Sequence, residues 1–550
     1  MSTPPADALL NALQRLSPER LRGMRRGIEK ESLRVLASGA LALTPHPEAL
    51  GSALTHGQIT TDFSESQLEL ITGVHGSVQA CLDELTQVHQ FVVHSLAETG
   101  HGAGDERMWA SSMPCGLPTD ETIPLGRYGS SNIGRLKSVY RMGLANRYGR
   151  RMQTISGIHY NWSLPGLSNE EHFALIRNFR RHAFVLLWLF GASPAVCGSF
   201  VAGRDHGLQP LAAGQETGSL GLQGQPNGSL GLQGQPNGSL GLPWATSLRM
   251  GRLGYQSEAQ GSLAVSYNSL ESYAASLQQA LTQPYPAYEA IGIRNLGGEY
   301  NQLGTTLLQI ENEFYGTIRP KRVIQRGERP LHALRQRGVE YIEVRCMDLD
   351  PFVPVGIQAA TMRLIDIFLL HCLLQPSPPD TPEEIAALGR NQHRTAAFGR
   401  QPGLTLERNG SDVLLVDWAG ELLAQCAAIA TSLDAAHRGT DPAHAHSYAQ
   451  ALAQAQASLA APDTLPSARV LAQTHSDFAG SHIAFTRALS EQTRSHLHQL
   501  PWTADQQVAF EAQARASVAA QSAIETADTV DFETFRQAYL APEGLQVAEQ

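Results

Sequence analysis

Polar and apolar positions that alternate with a period of two mark several segments in the first two-thirds of the chain and predict β-strands there. Apolar positions three and four apart predict helices between these strands and through most of the chain after residue 355. The predicted strands lie at 25–35, 59–72, 152–164, 296–318 and 338–350. The predicted helices lie at 7–24, 77–97, 129–148, 169–189, 414–435, 442–460, 466–497, 504–523 and 530–540.

This order of elements predicts an α+β protein with two regions. Residues 1–355 are expected to form a catalytic-type α+β region built on a mixed or antiparallel sheet. Residues 356–550 are expected to form a mainly helical region packed on that sheet.

A short internal repeat interrupts the first region. The decapeptide Gly-Ser-Leu-Gly-Leu-Gln-Gly-Gln-Pro-Asn occupies 218–227 and 228–237, and it begins a third time at 238–242. Two full copies are too few for a stacked repeat fold, and the Gly-rich composition is typical of flexible loops. We therefore interpret 218–242 as a duplicated surface-loop insert without an assigned function.

Charge and hydropathy exclude some classes of partner. The 550 residues carry a formal net charge of −10, whereas nucleic-acid-binding proteins normally show a basic balance. The most apolar runs, 182–190 and 364–374, are too short to span a bilayer. The N-terminus lacks the basic and apolar segments of a signal peptide. We expect a cytoplasmic protein with neither a nucleic-acid nor a membrane partner.

The cysteines give no sign of a structural framework. All six lie far apart in sequence, and none belongs to a C-x-x-C pair. Neither a disulfide framework nor a zinc site is therefore indicated, and reduced thiols are expected. The six positions are Cys81, Cys115, Cys197, Cys346, Cys372 and Cys426.

Charged side chains on the faces of predicted strands form the most informative pattern. Glu29 and Glu31 are two residues apart and share one face, and Glu69 shares a face with Gln67 and Ile71. A carboxylate on a sheet face that should be core is costly unless a positive group meets it. Similar polar faces recur in three other segments, at His159, Asn161 and Ser163, at Glu343 and Arg345, and at Gln309, Glu311 and Glu313.

These residue types indicate metal-assisted chemistry on an anionic substrate. Carboxylates with one histidine and without thiolates suit a hard cation such as Mg²⁺ or Mn²⁺. Arginines near such a site suit anionic substrates bridged by the metal, as in phosphoryl transfer. The helix predicted at 129–148 adds a possible anion site near its N-terminus, with the basic residues Arg135, Lys137, Arg141 and Arg147.

Each part of the pattern also has a simpler explanation. Glu29 and Glu31 could lie on a solvated strand edge, and His159 could be a structural histidine held by hydrogen bonds. Glu343 and Arg345 could form a cross-strand ion pair. The coincidence of several segments favours a site, but four later histidines lie in polar helical sequence and are assigned no role, namely His444, His446, His475 and His482.

Several motifs together resemble the proteobacterial glutamate–cysteine ligases (γ-glutamylcysteine synthetases). They occur in order between about residues 20 and 356, and the resemblance is looser through the helical C-terminal third. The motifs are Gly27-Ile-Glu-Lys-Glu-Ser-Leu-Arg-Val, His46-Pro-Glu-Ala-Leu-Gly-Ser-Ala-Leu-Thr-His56, Ile59-Thr-Thr-Asp-Phe63, Met152-Gln-Thr-Ile-Ser-Gly-Ile-His-Tyr-Asn161, Ala245-Thr-Ser-Leu-Arg249, Gln309-Ile-Glu-Asn-Glu313, Ile318-Arg-Pro-Lys-Arg322 and Tyr341-Ile-Glu-Val-Arg345.

The resemblance implies a fold and a reaction. The fold would be glutamine-synthetase-like, with a curved antiparallel sheet that forms a funnel around ATP and metal ions. The reaction would be the first step of glutathione biosynthesis. ATP phosphorylates the γ-carboxylate of L-glutamate, and the amino group of L-cysteine attacks the γ-glutamyl phosphate to give γ-glutamylcysteine, ADP and phosphate.

The resemblance also implies roles for individual residues. The implied Mg²⁺ ligands are Glu29, Glu31, Asp62, Glu69, His159 and Glu343. Arg249 and Arg345 would hold the glutamate carboxylate and the phosphoryl group, and Arg141 would be a further phosphate contact. The residues implied for the pocket of the cysteine side chain are Phe63, Tyr140, Leu144, Gln153, Tyr255 and Tyr315.

Two alternatives remain open at this point. A related ligase could join glutamate to a different amine, and Tyr255 and Tyr315 would then distinguish the two enzymes. A non-catalytic regulator that binds metal or nucleotide could keep the same fold, but it would be expected to have lost a metal carboxylate. The insert at 218–242 precedes Arg249, so a loop near the substrate could be altered.

Overall fold

The computed structural model describes residues 5–98, 106–211, 238–254, 258–261, 263–325, 327–438 and 447–545. The strands are β1 Arg25–Leu36, β2 Ile59–Thr61, β3 Gln67–Ile71, β4 Glu106–Met108, β5 Ile158–Ser163, β6 Ala195–Cys197, β7 Gln209–Pro210, β8 Ser239–Gly241, β9 Ile318–Lys321, β10 Tyr341–Met347, β11 Thr405–Arg408 and β12 Ser411–Leu414.

The helices alternate with these strands in the first two-thirds and then dominate. They are α1 Pro5–Gln14, α2 Pro18–Arg22, α3 Val78–Glu98, α4 Asn132–Tyr148, α5 Asn169–His182, α6 Phe184–Phe190, α7 Gly198–Val201, α8 Glu258–Gly261, α9 Leu270–Thr282, α10 Pro286–Ile291, α11 Pro330–Arg337, α12 Ala359–Leu374, α13 Pro382–Phe398, α14 Leu415–Gln425, α15 Ala427–His437, α16 Ser447–Ala460, α17 Pro466–Ser476, α18 His482–Gln499, α19 Ala504–Ala527 and α20 Phe532–Leu540.

One antiparallel sheet organises the catalytic-type region. Its strand order is β2-β3-β1-β5-β10-β9, and β4 pairs with the end of β1 beyond β3. Each pairing is antiparallel. The prediction of an α+β protein is confirmed. The sheet was predicted to be mixed or antiparallel, and it is antiparallel. The division of the chain at residue 355 stays a prediction.

The two faces of this sheet have opposite character. Ile158, Tyr160, Trp162, Ile342 and Val344 are almost fully buried and belong to the main hydrophobic cluster, which also contains side chains of α5 and α12. Since neighbouring residues of a strand point to opposite faces, the residues between them face the other way. One face therefore carries the core and the other carries polar groups.

A buried ion pair fastens the helical part of the chain to the apolar face. Arg26 of β1 lies 3.0 Å from Asp366 of α12, measured from Nη2 to Oδ2, and both side chains are at most 1% exposed. Tyr160 of β5 donates a hydrogen bond of 2.9 Å to Oδ1 of Asp366. Tyr448 of α16 donates one of 3.3 Å to Oδ2. Asp366 thus joins two strands and two helices in the interior.

The last helices pack against segments from the first third of the chain. Phe510 of α19 stacks on Phe91 of α3, with ring centroids 5.0 Å apart. Ser52 donates through its backbone N–H to the Ser517 hydroxyl of α19, over 2.9 Å. Asp528 accepts a hydrogen bond of 2.5 Å from the N–H of Asn132 at the start of α4. The C-terminal helices therefore contact α3, the loop before β2 and the start of α4.

One predicted strand is wrong. Residues 296–318 contain a 3₁₀ helix at Glu311–Glu313 and irregular backbone, and only Ile318 belongs to a strand. The Glu313 carboxylate accepts from the backbone N–H of Gln309 over 2.6 Å, which closes a tight turn where alternation suggested an extended chain. Glu311 and Glu313 instead pair with Arg329 and Arg147, at 2.7 and 2.8 Å.

Some other boundaries also differ. Residues 152–154 form a 3₁₀ helix before β5, and the helix predicted at 466–497 is divided between α17 and α18 by Gly480, whose φ is 79°.

The full repeat copies at 218–237 lie outside the described residues, as do Tyr255, His444 and His446. The start of the third copy forms β8, which pairs with β6 and β7. No helix in the described ranges is both long and apolar enough to cross a membrane.

The expectation of reduced thiols is wrong for two cysteines. Cys115 and Cys197 form a disulfide, with Cα atoms 5.1 Å apart and a sequence separation of 82 positions. Cys197 ends β6, and Cys115 lies in the connection after β4, so only the packing of these segments brings the pair together. Each residue is 1% exposed, which limits the access of reductants. The free cysteines are Cys81, Cys346, Cys372 and Cys426.

The disulfide predicts the number of reactive thiols. Protein purified without reductant and unfolded in denaturant should show four thiols, because the chain has six cysteines and four are free. Alkylation followed by mass spectrometry gives the count and the positions. A sample reduced before alkylation serves as the control and should show six. Six thiols in the unreduced sample would contradict the disulfide.

The buried ion pair predicts a large effect of Asp366→Asn on stability. Removing the charge leaves Arg26 buried without its counterion, which typically costs about 3–5 kcal/mol. The shift of the urea unfolding midpoint, followed by circular dichroism, measures the loss. The control is Glu421→Gln, which removes an ion pair of 2.6 Å to Arg408 whose side chains are 35% and 54% exposed. Such a pair contributes about 0–1 kcal/mol, so equal shifts would contradict the role of Asp366.

Candidate active site

Strand register places the predicted acidic residues side by side on the polar face. Glu31 of β1 is directly opposite Glu69 of β3, and Glu29 is directly opposite His159 of β5. On the other side of β5, Glu343 of β10 is opposite Asn161. The four central strands therefore bring together residues that are up to 314 positions apart in sequence, as Glu29 and Glu343 are.

His159 lies at the centre of this group. Its Nδ1 atom is 3.2 Å from Glu29 Oε2 and 3.7 Å from Glu343 Oε1, and its Nε2 atom is 3.7 Å from Glu31 Oε1. Glu29, His159 and Glu343 each offer one ligand atom, and these atoms lie within 4.8 Å of one another. The spacing suits a single ion bound between the three side chains.

Burial and charge set the ionisation of these groups. Burial, together with the nearby Asp62 carboxylate, raises the pKa of Glu31 to about 8. Burial and the neighbouring carboxylates also raise the pKa of Glu69 well above its ordinary value. Burial opposes ionisation of Glu343 too, but Arg345 and Lys321 outweigh it and hold the pKa of Glu343 well below its ordinary value. The cluster thus has more acidic groups than its own cations neutralise.

Unsatisfied oxygen atoms are consistent with a bound cation. Glu343 Oε2 and Asn161 Oδ1 are buried and have no hydrogen-bond partner within the described part of the chain. Burial and the charge of Arg345 lower the pKa of His159, so its ring is the neutral form that metals bind. Oxygen ligands with one imidazole suit Mg²⁺ or Mn²⁺. The residues present therefore fit a hard divalent ion.

The carboxylates line a cavity of about 850 Å³. Of the fifteen site residues predicted from the sequence, fourteen line this cavity, and Tyr255 is the one outside the described residues. The fourteen are Glu29, Glu31, Asp62, Phe63, Glu69, Tyr140, Arg141, Leu144, Gln153, His159, Arg249, Tyr315, Glu343 and Arg345.

The two predicted arginine clamps lie beside the carboxylates. Arg345 Nη1 is 3.1 Å from Glu343 Oε1. Arg249 Nη2 donates a hydrogen bond of 2.9 Å to the backbone oxygen of Arg345. A Cβ atom at Gly157 would lie 2.0 Å from Arg249 Nη2, so a larger residue there would displace the guanidinium. The absence of a side chain at Gly157 therefore gives Arg249 its place in the cavity.

Asp348 holds the segment that carries Arg249. Its carboxylate accepts hydrogen bonds from the N–H of Ala192 at 2.9 Å, the Ser193 hydroxyl at 2.6 Å and the Ser247 hydroxyl at 3.0 Å. Oδ1 of Asp348 is also 3.8 Å from Arg249 Nη1. The side chain of Asp348 is fully buried, so these contacts form a rigid support for Arg249.

The opposite wall of the cavity comes from α4 and the 3₁₀ helix before β5. Arg141 donates through Nε to the backbone oxygen of Asp62, and its guanidinium lies 4.4 Å from the centre of the Tyr128 ring. Gln153 donates a hydrogen bond of 2.6 Å to the Tyr315 hydroxyl. Aromatic rings and one amide thus close this end of the cavity.

Five lysine and arginine side chains in the cavity were not predicted as site residues, namely Lys137, Arg180, Arg181, Arg319 and Lys321. Arg319 and Lys321 lie on β9, where Arg319 is directly opposite Glu343 and Lys321 Nζ is 3.5 Å from Glu343 Oε1. Their spacing of two in Ile318-Arg-Pro-Lys-Arg322 was a signal that could have placed them on the polar face. Lys137 was noted only as part of a basic helix, and burial lowers its pKa to about 8.

Ile310 and Asn312 line the cavity, but of the polar residues predicted at 309–313 only Glu311 does so. Its carboxylate is already held by Arg329 and by the N–H of Leu331. Gln309 is not part of the lining, and its side-chain oxygen accepts from the N–H of Leu303. Glu311 is therefore paired within the cavity wall, and Gln309 lies behind it.

Comparisons with known proteins agree with one family. The family model described as Glutamate-cysteine ligase matches residues 10–395. A glutamate–cysteine ligase of Azotobacter vinelandii is 46% identical over 542 residues, which are 95% of each chain. One of Pseudomonas entomophila is 45% identical over 533 residues, covering 94% of this chain and 93% of that protein.

A solved structure extends the agreement to the fold. The glutamate–cysteine ligase of Francisella tularensis in complex with AMP superimposes with a TM-score of 0.82 at 33% identity, over 94% of this chain and 97% of that chain. This similarity confirms the predicted fold class. The match of the family model over more than half the chain and the identity to full-length relatives show that the chain belongs to the glutamate–cysteine ligase family.

Proposed function

We propose that this cavity joins L-glutamate to L-cysteine at the expense of ATP and so makes γ-glutamylcysteine, the first step of glutathione biosynthesis, in the cytoplasm. The observation that carries the proposal is the acidic cluster around His159 facing Arg345 and Arg249 in one cavity, in a chain of this ligase family. The products would be γ-glutamylcysteine, ADP and phosphate.

Divalent metal ions, Mg²⁺ or alternatively Mn²⁺, would be held by the acidic cluster. The ligands we assign are Glu29, Glu31, Asp62, Glu69, His159 and Glu343. When bound, the ions would supply positive charge that offsets the negative charge of the ATP phosphates and the reacting carboxylate. The raised pKa values of Glu31 and Glu69 support this assignment, since such carboxyl groups ionise readily only when a cation is near.

The arginines orient the anionic substrates. Arg345 and Arg249 present planar guanidinium groups that can bind a carboxylate or a phosphoryl group through two parallel hydrogen bonds. Arg141 on the opposite wall would make a further phosphate contact. Charge that builds on the transferring phosphoryl group would meet these fixed cations without reorganisation of the site.

The aromatic end of the cavity is assigned to the side chain of L-cysteine. A pocket of apolar and aromatic groups suits a thiol, although pockets discriminate only modestly between side chains that differ by a methylene group. The hydrogen bond from Gln153 to Tyr315 fixes the shape of this end. The residues we assign to it are Phe63, Tyr140, Leu144, Gln153, Tyr255 and Tyr315.

ATP would occupy the rest of the cavity. The Francisella tularensis ligase was solved with AMP, which supports nucleotide binding in this chain. One part of the cavity is apolar, and we assign it to the adenine ring. It is lined by Phe184, Leu187, Leu263, Val265 and Ile385.

The attacking group is supplied by the second substrate. The amino nitrogen of L-cysteine would form the new amide bond with the γ-carbon, and phosphate would leave with the electrons of the acyl–phosphate bond. A nucleophilic side chain is therefore not required, and the task of the protein is to position the reactants and exclude water.

The decisive measurement is phosphate release from ATP with L-glutamate and Mg²⁺, in the presence and absence of L-cysteine, with mass analysis of the product. Turnover that depends on cysteine and yields a γ-linked dipeptide is expected. Glu29→Ala and Arg345→Lys should each lower turnover about 100-fold or more, because each removes charge or geometry needed in the transition state. The exposed control variant Glu421→Gln should retain the activity of the unchanged protein.

Other outcomes would identify the alternatives. Turnover only with a different amine would indicate a sister ligase with the same metal site. Nucleotide binding without turnover with any amine would indicate a regulator. Near-normal activity of Glu29→Ala or Arg345→Lys would remove that residue from its assigned role.

The support of Arg249 gives a separate prediction. Asp348→Asn keeps the shape of the side chain but weakens the contacts that hold the segment of Arg249, and a small misplacement of a binding group can cost about 100-fold in rate. We expect kcat/KM for glutamate to fall about 10-fold or more, with a smaller change in the KM for ATP. Asp412→Asn, at a side chain 63% exposed, is the matched control. An equal loss of kcat/KM for glutamate and for ATP would indicate general destabilisation and contradict the positioning role.

A further inference from the structure

A second cluster of metal-binding side chains lies away from the carboxylate site. His182 ends α5, and His371 and Cys372 are near the end of α12. Each offers one ligand atom, and the three atoms lie within 4.8 Å of one another. Cys372 is free and fully buried. No local motif predicts this cluster, since 189 positions separate His182 from His371.

The hydrogen bonds of His371 leave one ring nitrogen available as a ligand. Its Nε2 lies 2.9 Å from Gln425 Oε1, which can only accept, so the proton of the neutral ring is on Nε2. The same oxygen also accepts from Gln375 Nε2 at 3.2 Å, which fixes the orientation of the amide. Nδ1 therefore carries a lone pair. A carbonyl oxygen that accepts from the other nitrogen is the usual partner of a metal-bound histidine.

One ring nitrogen of each histidine in this cluster lacks a hydrogen-bond partner among the described residues. Nδ1 of His371 and Nδ1 of His182 are both buried, and neither has a hydrogen-bond partner among the residues that the structure describes. His371 is 0% exposed. A buried nitrogen without a partner is costly, and a bound metal ion would remove that cost. This observation is independent of the spacing of the three ligand atoms.

We propose that His182, His371 and Cys372 bind one Zn²⁺ ion that links α5 to α12. Two imidazoles and one thiolate favour a borderline or soft cation, whereas the carboxylate site favours a hard one. On binding, the metal–sulfur bond forms, and the Cys372 thiol releases its proton to solvent. Zn²⁺ keeps its oxidation state, so no oxidant or reductant is needed.

The position of the ion suggests what it would do. α5 and α12 pack together on the apolar face of the main sheet, and His182 immediately precedes Ala183 and Phe184, which line the cavity. His182 is partly exposed, which leaves a route for the ion from solvent. A metal bridge here would stabilise one wall of the cavity without taking part in the reaction.

Co²⁺ provides a spectroscopic test on the full-length protein. The protein is stripped with a chelator, kept under a reductant that does not bind metals, and supplied with excess Mg²⁺ to occupy the carboxylate site. Co²⁺ is then titrated, followed by Zn²⁺. We expect a thiolate-to-cobalt charge-transfer band that saturates at one equivalent and disappears when Zn²⁺ displaces Co²⁺. The carboxylate cluster offers no thiolate and therefore cannot produce this band.

Variants assign the band to the cluster. Cys372→Ser should abolish it, and His182→Gln, at a partly exposed position that tolerates change better, should weaken Co²⁺ binding about 10-fold or more. Cys81→Ser, which changes another free and buried cysteine, should keep the full band. Zn²⁺ should raise the melting temperature of the unchanged protein and of Cys81→Ser, but not that of Cys372→Ser.

Two results would overturn the proposal. One is the lack of a thiolate band in the unchanged protein, and the other is a band of full intensity that survives in Cys372→Ser. Neither result would affect the assigned ligase activity, because that activity is measured separately by phosphate release with Mg²⁺.

Discussion

The concentration of negative charge on one face of a single sheet is the constraint on which the rest of the structure depends. Carboxylates on β1 and β10 lie around His159, and Glu69 of β3 is directly opposite Glu31. Like charges this close repel one another strongly in a buried environment. The protein meets part of this charge with Arg345 and Lys321. The remaining negative charge suits the divalent cations and cation-bridged phosphates that we propose for this site. The excess of negative charge that destabilises the fold is thus the property on which the proposed reaction depends.

Because one face of the sheet is polar, its other face has to supply the apolar surface of the core. Alternate residues of β5 and β10 supply both, since Tyr160 and Val344 enter the core while their neighbours face the cavity. The helices on the outer face are held by packing and by the buried contacts of Asp366 with Arg26, Tyr160 and Tyr448. Separating Arg26 from Asp366 would leave a buried charge unpaired, which is costly, so this ion pair disfavours other positions of α12 on the sheet.

Residues outside the cavity also determine where its side chains lie. Asp348 joins Ala192, Ser193 and Ser247 and so fixes the segment of Arg249, while Gly157 leaves room for its guanidinium. Several of these groups touch the site only through another residue. Their contribution is geometric, and reactions that depend on positioning are sensitive to small displacements of such supports.

The sequence by itself determined the strands β1, β3, β5 and β10, the polar face that they share, and the family. The strands and their polar face follow from local periodicity, because a spacing of two assigns a side chain to one face whatever its distant neighbours are. The family follows from the resemblance of several motifs. The alternation of polar and apolar residues predicted a strand at Glu311 and Glu313 that is absent there, because contacts with Arg329 and Arg147 override the local pattern. Only the tertiary structure decided the Cys115–Cys197 disulfide, the support by Asp348 and the cluster of His182, His371 and Cys372. Each of these joins segments far apart in the chain, and their proximity arises from packing that no local spacing encodes.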